Sequence, residues 1–226
     1  MLTAHGDAVD RRHPGWPATL GPLESSAGDV MLRPLRRRDG PAWRKIRLRD
    51  RIWIQRWDAT SPATWAERHS VSAWRVHFAL MRHAARHGGC LPFAVTVDGT
   101  FVGQVTLGGI TRGALSSAWV GYWVSSSVAR HGVATAAVAL AVIHALGPAR
   151  LHRVEATIDP ENAASRAVAQ HLGMREEGLL RRYLDIDGAW RDHILFAITV
   201  EEVPGGADQA RSLIADYLRR DRDESV

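Results

Sequence analysis

The chain has 226 residues and a mass of 24.9 kDa, with 46% apolar residues, 23% charged residues and a formal net charge of +5. That is the size and composition of one folded domain with modest extensions, and not of a wholly disordered chain. No uncharged apolar run reaches the roughly 18 residues of a membrane span, and the first 30 residues, with Asp7, Asp10, Arg11 and Arg12, lack the apolar core of a secretion signal. The single Cys90 excludes an internal disulfide and a cysteine-based zinc site, so a cytoplasmic protein is expected.

In chain order, residues 1–28 carry His13-Pro14-Gly15, Pro17, Gly21-Pro22 and Gly28, and this density of breakers predicts an irregular extension. Val30 to Leu35 reads as a first strand. Asp39 can cap a helix with Pro41 in its first turn, running on through Trp43, Ile46, Leu48 and Ile52. A loop covers 57–62. A helix from Ser72 to His87, with Trp74, Phe78 and Met81 on one face, stops at Gly88-Gly89. Pro92–Val97 and Phe101–Leu107 then alternate with period two around an Asp98-Gly99 hairpin turn. Ser117–Val124 is a further strand. Gly132 to Leu146 is apolar almost all round, hence a buried helix, stopped by Gly147-Pro148. His152–Ile158 is a strand, Glu161–His171 a helix closed by Gly173, and 177–184 and 189–200 a final hairpin around Asp187-Gly188. The order predicts an α+β or mixed α/β domain on one sheet. After Pro204 the chain is polar, either a surface helix through Leu213, Ile214 and Leu218 or a frayed end.

The charge is uneven. Residues 31–57 hold ten basic residues, from Arg33 to Arg56, against Asp39 and Asp50, a local charge of +8, so the rest of the chain carries −3. Such a segment is either a solvated helix face or an attractor of anions: nucleic acid, a phosphorylated cofactor or an acidic protein. His83 and His87 stand four apart on a helix with no third metal ligand evident. Trp43, Trp53, Trp57, Trp65 and Trp74 cluster upstream, as core or as the lining of a groove.

The stretch most informative for chemistry is Trp119 to Ala136. A strand ends at Val124 and a helix opens at Arg130-His131-Gly132-Val133-Ala134-Thr135. A helix N-terminus offers unpaired N–H groups and partial positive charge, Gly132 and Ala134 keep the backbone approachable, and Arg130 and His131 add donors. The segment is either a seat for phosphate or pyrophosphate or a plain tight turn into a core helix. It is neither a GxGxxG nor a GxxxxGK[ST] loop.

Downstream lie Asp159-Pro160-Glu161-Asn162-Ala163-Ala164-Ser165 and Leu172-Gly173-Met174-Arg175-Glu176-Glu177-Gly178. Together with Ala129-Arg130-His131-Gly132-Val133-Ala134, this arrangement resembles the GNAT superfamily of acetyl-CoA-dependent N-acetyltransferases. The hexapeptide matches the family's pyrophosphate pattern Q/R-x-x-G-x-G/A, with Ala129 where the family prefers Gln or Arg and Arg130 one place on. Gly121-Tyr122-Trp123-Val124, Asn162-Ala163-Ala164-Ser165, Glu176-Glu177-Gly178 and Gly188-Ala189-Trp190-Arg191-Asp192-His193 resemble the RimJ/RimL-like branch, which acetylates ribosomal-protein N-termini. The likeness covers 29–203; the extension 1–28 and the tail 204–226 lie outside it.

The resemblance implies a central, mostly antiparallel sheet of about seven strands and about four helices, splayed between strands 117–124 and 152–158. It implies acetyl-CoA bound by Arg130, His131, Gly132, Val133, Ala134 and Thr135, with Asn162 and the backbone of Trp123 and Val124 on the pantetheine arm. It implies Ser165 as the residue that protonates or holds the leaving thiolate and Glu177 as the candidate base, with Glu176 and Asp192 as its nearest substitutes. The expected reaction is direct transfer of acetyl to a protein N-terminal α-amino group, the leading acceptor being the N-terminal alanine of a ribosomal protein. Segment 33–56 is a possible ribosome contact, and the chain is a monomer or homodimer. A small-molecule amine as acceptor, and an RNA- or ribosome-binding module with a vestigial cofactor site, are the alternatives.

Overall fold

The computed structural model describes residues 14–203. Its strands are β1 (Leu20–Ser25), β2 (Gly28–Pro34), β3 (Cys90–Val97), β4 (Thr100–Thr111), β5 (Ser117–Val124), β6 (Arg153–Ile158), β7 (Arg175–Ile186) and β8 (Ala189–Thr199). They form one sheet in the order β1-β2-β3-β4-β5-β6-β8-β7. Every neighbouring pair is antiparallel except β5 with β6, which run parallel. The helices are α1 (Gly40–Arg49), α2 (Arg51–Ile54), α3 (Trp65–Arg68), α4 (Val71–Arg86), α5 (Val133–Leu146) and α6 (Ala163–His171).

Two cores sandwich the sheet. On one face lies α5, in which every residue but Ala134 is buried, as its all-round apolar sequence requires. It packs on Val30, Leu32, Val105, Val120 and Val154, and α6 joins through Val168 and Ala169. On the other face α1 and α4 cover Ala94 and Phe101 with Trp43, Ile46 and Trp74. On α4, Trp74, Phe78, Met81 and Ala85 recur at helical spacing on the packed side, while Val76 and Leu80 face solvent. Phe93 and Phe196 are among the largest fully buried side chains.

Two elements differ from the sequence reading, and a third was not read from it. Residues 20–25, expected to be irregular, form edge strand β1, so the sheet has eight strands where about seven were expected. An edge strand tolerates Pro22, whose missing N–H has no ladder to serve, and the register shifts between Leu20 and Leu23. Gly21 sits at φ +103°, and a Cβ there would lie 2.7 Å from the Val30 carbonyl oxygen, so the bend needs glycine. The helix expected to run from Asp39 past Ile52 stops at Arg49. Asp50 leaves helical geometry at φ −92°, ψ 25° and turns its carboxylate to another segment. Thr64 and Glu67 form a capping box that starts the short α3. The tail after 203 lies outside the described residues.

Candidate active site

β5 and β6 pair only at Ser117↔Arg153, Ala118↔Val154 and Trp119↔Glu155, and beyond them the parallel strands part. The opening is a splay, and a cleft of about 1340 Å³ is lined from both faces of the sheet around it. The free edge of β5 can be read by parity. Ser125 N–H donates to Val102 O (2.7 Å), and a Cβ on Gly103 would meet Trp123 O, so odd-numbered residues of β5 use their backbone on β4. Ser116 O accepts from His152 N–H (2.7 Å), so even-numbered residues face β6. Beyond the parting, the amides and carbonyls of Val120, Tyr122 and Val124 therefore look into the gap. This corrects the sequence reading at one residue. Val124 offers its backbone to the cleft as expected, Trp123 does not, and Tyr122 takes its place.

Below the free edge, the 3₁₀ turn Ser126–Val128 leads into the helix start. Arg130 and Gly132 are both left-handed, at φ +64° and +72°, and Gly132 is the N-cap of α5. The first backbone bond in the helix is Ala136 N–H to Gly132 O (2.9 Å), and among the described residues no amide of 130–135 donates to a backbone carbonyl. Successive N–H groups thus converge at the positive end of a buried helix, which suits a diphosphate. Two distant segments hold this loop. Asp50 accepts from Ser126 N–H (2.8 Å) and Oγ (2.7 Å) and from both arms of Arg49 (2.7 and 2.9 Å). Burial pushes the Asp50 carboxyl pKa up, but the bonds from Arg49 and Ser126 outweigh it and hold it at about 2. Ser26, in the β1–β2 turn, meets His131 Nδ1 at 3.0 Å. Neither Asp50 nor Ser26 was foreseen from sequence.

α6 brings Asn162 and Ser165 to the cleft. Asn162 is the N-cap, its carboxamide oxygen accepting from Ser165 N–H (3.1 Å), which leaves its NH₂ for a ligand. Ser165 Oγ lies 2.7 Å from the Tyr122 hydroxyl. Burial pushes the Tyr122 phenol up to about 12, the bond to Ser165 pulling the other way, so it stays protonated at neutral pH.

Across the splay the lining is aromatic and basic. Trp43 and His77 line the roof with Arg47, whose guanidinium lies over the rings of Trp65 (5.1 Å) and Trp123 (5.2 Å). Asp58 Oδ2 accepts from Arg47 (2.6 Å) and from Arg68 (2.8 Å). His69 accepts from Arg47 at Nε2 (2.9 Å) and donates from Nδ1 to Trp65 O (2.7 Å), so it is neutral, and burial lowers its pKa to about 4. The segment 55–60 is tied to the β7–β8 turn: Thr60 donates to Asp185 (2.6 Å), Gly188 N–H to Thr60 (2.7 Å) and Gln55 to Asp187 (3.0 Å). His193 lines the same side, alternating along β8 with Ile194 and Phe196, which enter the α5 core. Its Nδ1 lies 3.1 Å from Arg191 O, so Nδ1 is the nitrogen that donates there and Nε2 is left for the cleft.

Glu177 is not brought to the cleft. It is the extra residue of a bulge in β7, between the pairs Glu176↔Phe196 and Gly178↔Leu195. Its carboxylate accepts from Arg153, at the paired end of β6, and from Arg175. The two guanidinium groups hold its pKa at about 2, so it takes up no proton near neutrality. Nor do its substitutes line the cleft: Asp192 Oδ1 accepts from Arg182 N–H (2.7 Å) at the second bulge of β7, and Glu176 is exposed. His83 and His87 stack at 4.2 Å near the end of α4, and among the described residues no three His, Cys, Asp or Glu side chains gather as a metal site. Cys90 is buried, which pushes its thiol up to about 11. No described helix is long and apolar enough to cross a membrane.

Comparison with known proteins agrees with this architecture. A family described as Acetyltransferase (GNAT) domain matches residues 29–175. Mycobacterium smegmatis RimJ, solved in complex with CoA-disulfide, superposes with a TM-score of 0.86 at 53% identity, covering 90% of this chain and 97% of that one. The [Ribosomal protein uS5]-alanine N-acetyltransferase of Escherichia coli (strain K12) is 25% identical over 173 residues, 74% of this chain and 87% of the relative. Bacillus subtilis (strain 168) Probable N-acetyltransferase YjcK is 39% identical over 101 residues, 45% of this chain and little more than half, 56%, of that protein. With a splayed sheet, an open helix N-terminus at the splay and a family match over most of its length, the chain belongs to the GNAT acetyltransferase family.

Proposed function

We propose that the protein transfers acetyl from acetyl-CoA to the α-amino group of a protein N-terminus, with the N-terminal alanine of a ribosomal protein as acceptor. One observation carries the reading. A single cleft joins a free strand edge and a bare helix N-terminus on one side of the sheet to a cationic, aromatic vault on the other. The first side suits the diphosphate and the amides of CoA; the second suits a peptide and repels a polycation such as a polyamine or an aminoglycoside. The acceptor class follows the activity of the E. coli relative, and it implies a cytoplasmic enzyme.

In this reading the amides of 130–135, with Arg130 and His131, hold the diphosphate, and Val133, Ala134 and Thr135 form the helix end it faces. Tyr122 and Val124 pair their backbones with the pantetheine amides as an added strand would, and the Asn162 NH₂ donates to the same arm. A strand N–H there also faces the negative charge that develops on the thioester oxygen. The acceptor nitrogen attacks the acetyl carbon, the C–N bond forms and the C–S bond breaks. The proton shed by the amine passes to His193 Nε2. The sulfur leaves as thiolate toward the Ser165–Tyr122 hydroxyl pair, which supplies it with a hydrogen bond or a proton. An α-amino group titrates at about 7.7–8.0, so a neutral imidazole is a sufficient base. The exposed Arg36, Arg37, Arg38, Arg44 and Lys45 face away from the vault and are assigned to contact with the ribosome.

The test is CoA release by the purified protein from acetyl-CoA with three acceptors. A peptide beginning with alanine is turned over; the same peptide with a blocked N-terminus and a polyamine are not. Turnover of the polyamine alone overturns the reading.

A further inference from the structure

The vault contains a charge that its own residues do not balance. Arg47 is only 7% exposed. Its Nε is used by His69 and its Nη2 by Asp58. Nη1 has no hydrogen-bond partner among the described residues, and it is not sealed off in the interior, because Arg47 lines the cleft. Arg68, which also lines the cleft, donates to the same oxygen of Asp58 that Arg47 uses. Two guanidinium groups therefore share one carboxylate. His69, His77 and Asp50, the titratable groups beside the pair, do not change the sum. His69 is neutral by its bonding, burial disfavours the charged form of His77, and Asp50 is committed to Arg49 and Ser126. Arg56 lies over Trp57 at 4.4 Å and adds a further cation. The walls are Trp57, Trp65 and Trp123. A surplus cation in such a place is costly to bury and attracts a counter-charge strongly, because the rings exclude water.

We propose that Arg47 Nη1, with Arg68, forms a subsite for a carboxylate of the acceptor, carried within a few residues of the amine that is acetylated. The inference rests on the peptide reading above and deepens it: the enzyme selects N-termini with an acidic residue close behind the first. A planar guanidinium with two free N–H directions suits a carboxylate, and such charge-assisted bonds are the strong ones. Asp58 sets the strength of the subsite by neutralising half of it. The geometry also rejects a lysine or arginine at the same place, since it would approach two fixed cations.

The experiment compares kcat and KM for peptides that begin with alanine and carry glutamate or glutamine at the second, third or fourth position, all amidated at the C-terminus. One further arm is an Ala-Ala dipeptide with a free or amidated C-terminus. At one position glutamate raises kcat/KM about tenfold or more over glutamine, through KM, and the advantage shrinks with added salt. Arg68→Gln reduces that ratio severalfold, and Asp58→Asn increases it. A preference seen only for the free C-terminus assigns the same subsite to a terminal carboxylate. Arg47→Met is the strongest test if it folds; Arg68→Gln, with its more exposed side chain, keeps the question answerable if it does not. Equal kcat/KM for glutamate and glutamine at every position and for the free and amidated dipeptides, with the peptides still acetylated, overturns the subsite and leaves the acceptor reading standing. If no peptide is acetylated, the acceptor reading falls. Binding of the glutamate and glutamine peptides, followed by tryptophan fluorescence with CoA present, then decides the subsite alone: tighter glutamate binding supports it, and equal binding overturns it.

Discussion

The hydroxyl groups of Tyr122 and Ser165 meet at 2.7 Å, one reaching from β5 and the other from the first turn of α6. Both residues line the same cleft as Arg47 and Arg68. Because burial raises the Tyr122 phenol to about 12, the pair holds its protons throughout the physiological range. Tyr122→Phe removes the buried donor and is expected to lower kcat by about 10²-fold, within the span of proton-transfer assistance. Ser165→Ala leaves the phenol in place and costs less. Neither change alters acetyl-CoA affinity more than about twofold, since neither side chain holds the diphosphate. The check is kcat for each variant beside a direct dissociation constant. An alkaline limb in the wild-type profile is expected to come from another group, because burial pushes the Tyr122 phenol up to about 12.

Gly132 sits at φ +72° with space around it: a Cβ added there would have Ser25 Cβ, at 3.9 Å, as its nearest heavy atom. A side chain at this position meets backbone strain and no clash. Gly132→Ala costs about 1–2 kcal/mol of stability for the left-handed conformation. Gly132→Asp adds a negative charge at the helix N-terminus where the diphosphate is assigned. Acetyl-CoA affinity then falls far more for aspartate than for alanine, by roughly 10-fold or more, while both proteins melt cooperatively. Equal affinities for the two variants by calorimetry contradict the cradle.

Asp50 couples α1 to the cradle and gives it a pH dependence. Its folded pKa of about 2 lies below the ordinary carboxylate value. A depressed pKa contributes stability that is present in full above about pH 4 and is lost as pH falls toward 2. Asp50→Asn should destabilise the protein at pH 7 by about 1.5–3 kcal/mol, the worth of hydrogen bonds to a charged group. The difference in melting temperature between variant and wild type should shrink between pH 4 and pH 2. A difference that stays constant across that window contradicts the assignment.

His193 and Glu177 separate two accounts of the base. Glu177→Gln breaks ion pairs at the partly exposed bulge, where each pair is worth about 0–1 kcal/mol, and should leave kcat within about threefold of wild type. His193→Gln should lower kcat by about 10²–10⁴-fold, with partial recovery at high pH, where the acceptor amine is already neutral. Parallel pH–rate profiles at saturating acetyl-CoA decide between them, and the reverse pattern restores Glu177.

Local signals made much of this fold legible. The β3–β4 hairpin was readable because period-two residues flank Asp98-Gly99, and the structure has both turn residues at positive φ. The open start of α5 was readable because Gly132 stands between a strand and an all-apolar helix. What failed depends on distant partners. β1 is stabilised by β2, so Gly21-Pro22 looked like a break. Whether Trp123 or Tyr122 turns its backbone to the gap is fixed by the β4 register, which a single strand does not reveal. Glu177 looked like a base from its motif, yet Arg153, 24 residues earlier, meets it at the closed end of β6. The vault of Arg47, Asp58, Arg68 and His69 exists only once α1, α3 and the segment carrying Asp58 come together.

The most direct test of acetyl transfer to a ribosomal N-terminus is the intact mass of every ribosomal protein, taken from cells with and without the gene for this chain. The account predicts that one protein beginning with alanine loses the mass of a single acetyl group in the deletion. The mass should return with the wild-type gene and not with Gly132→Asp. Identical masses for all ribosomal proteins in the two strains contradict it.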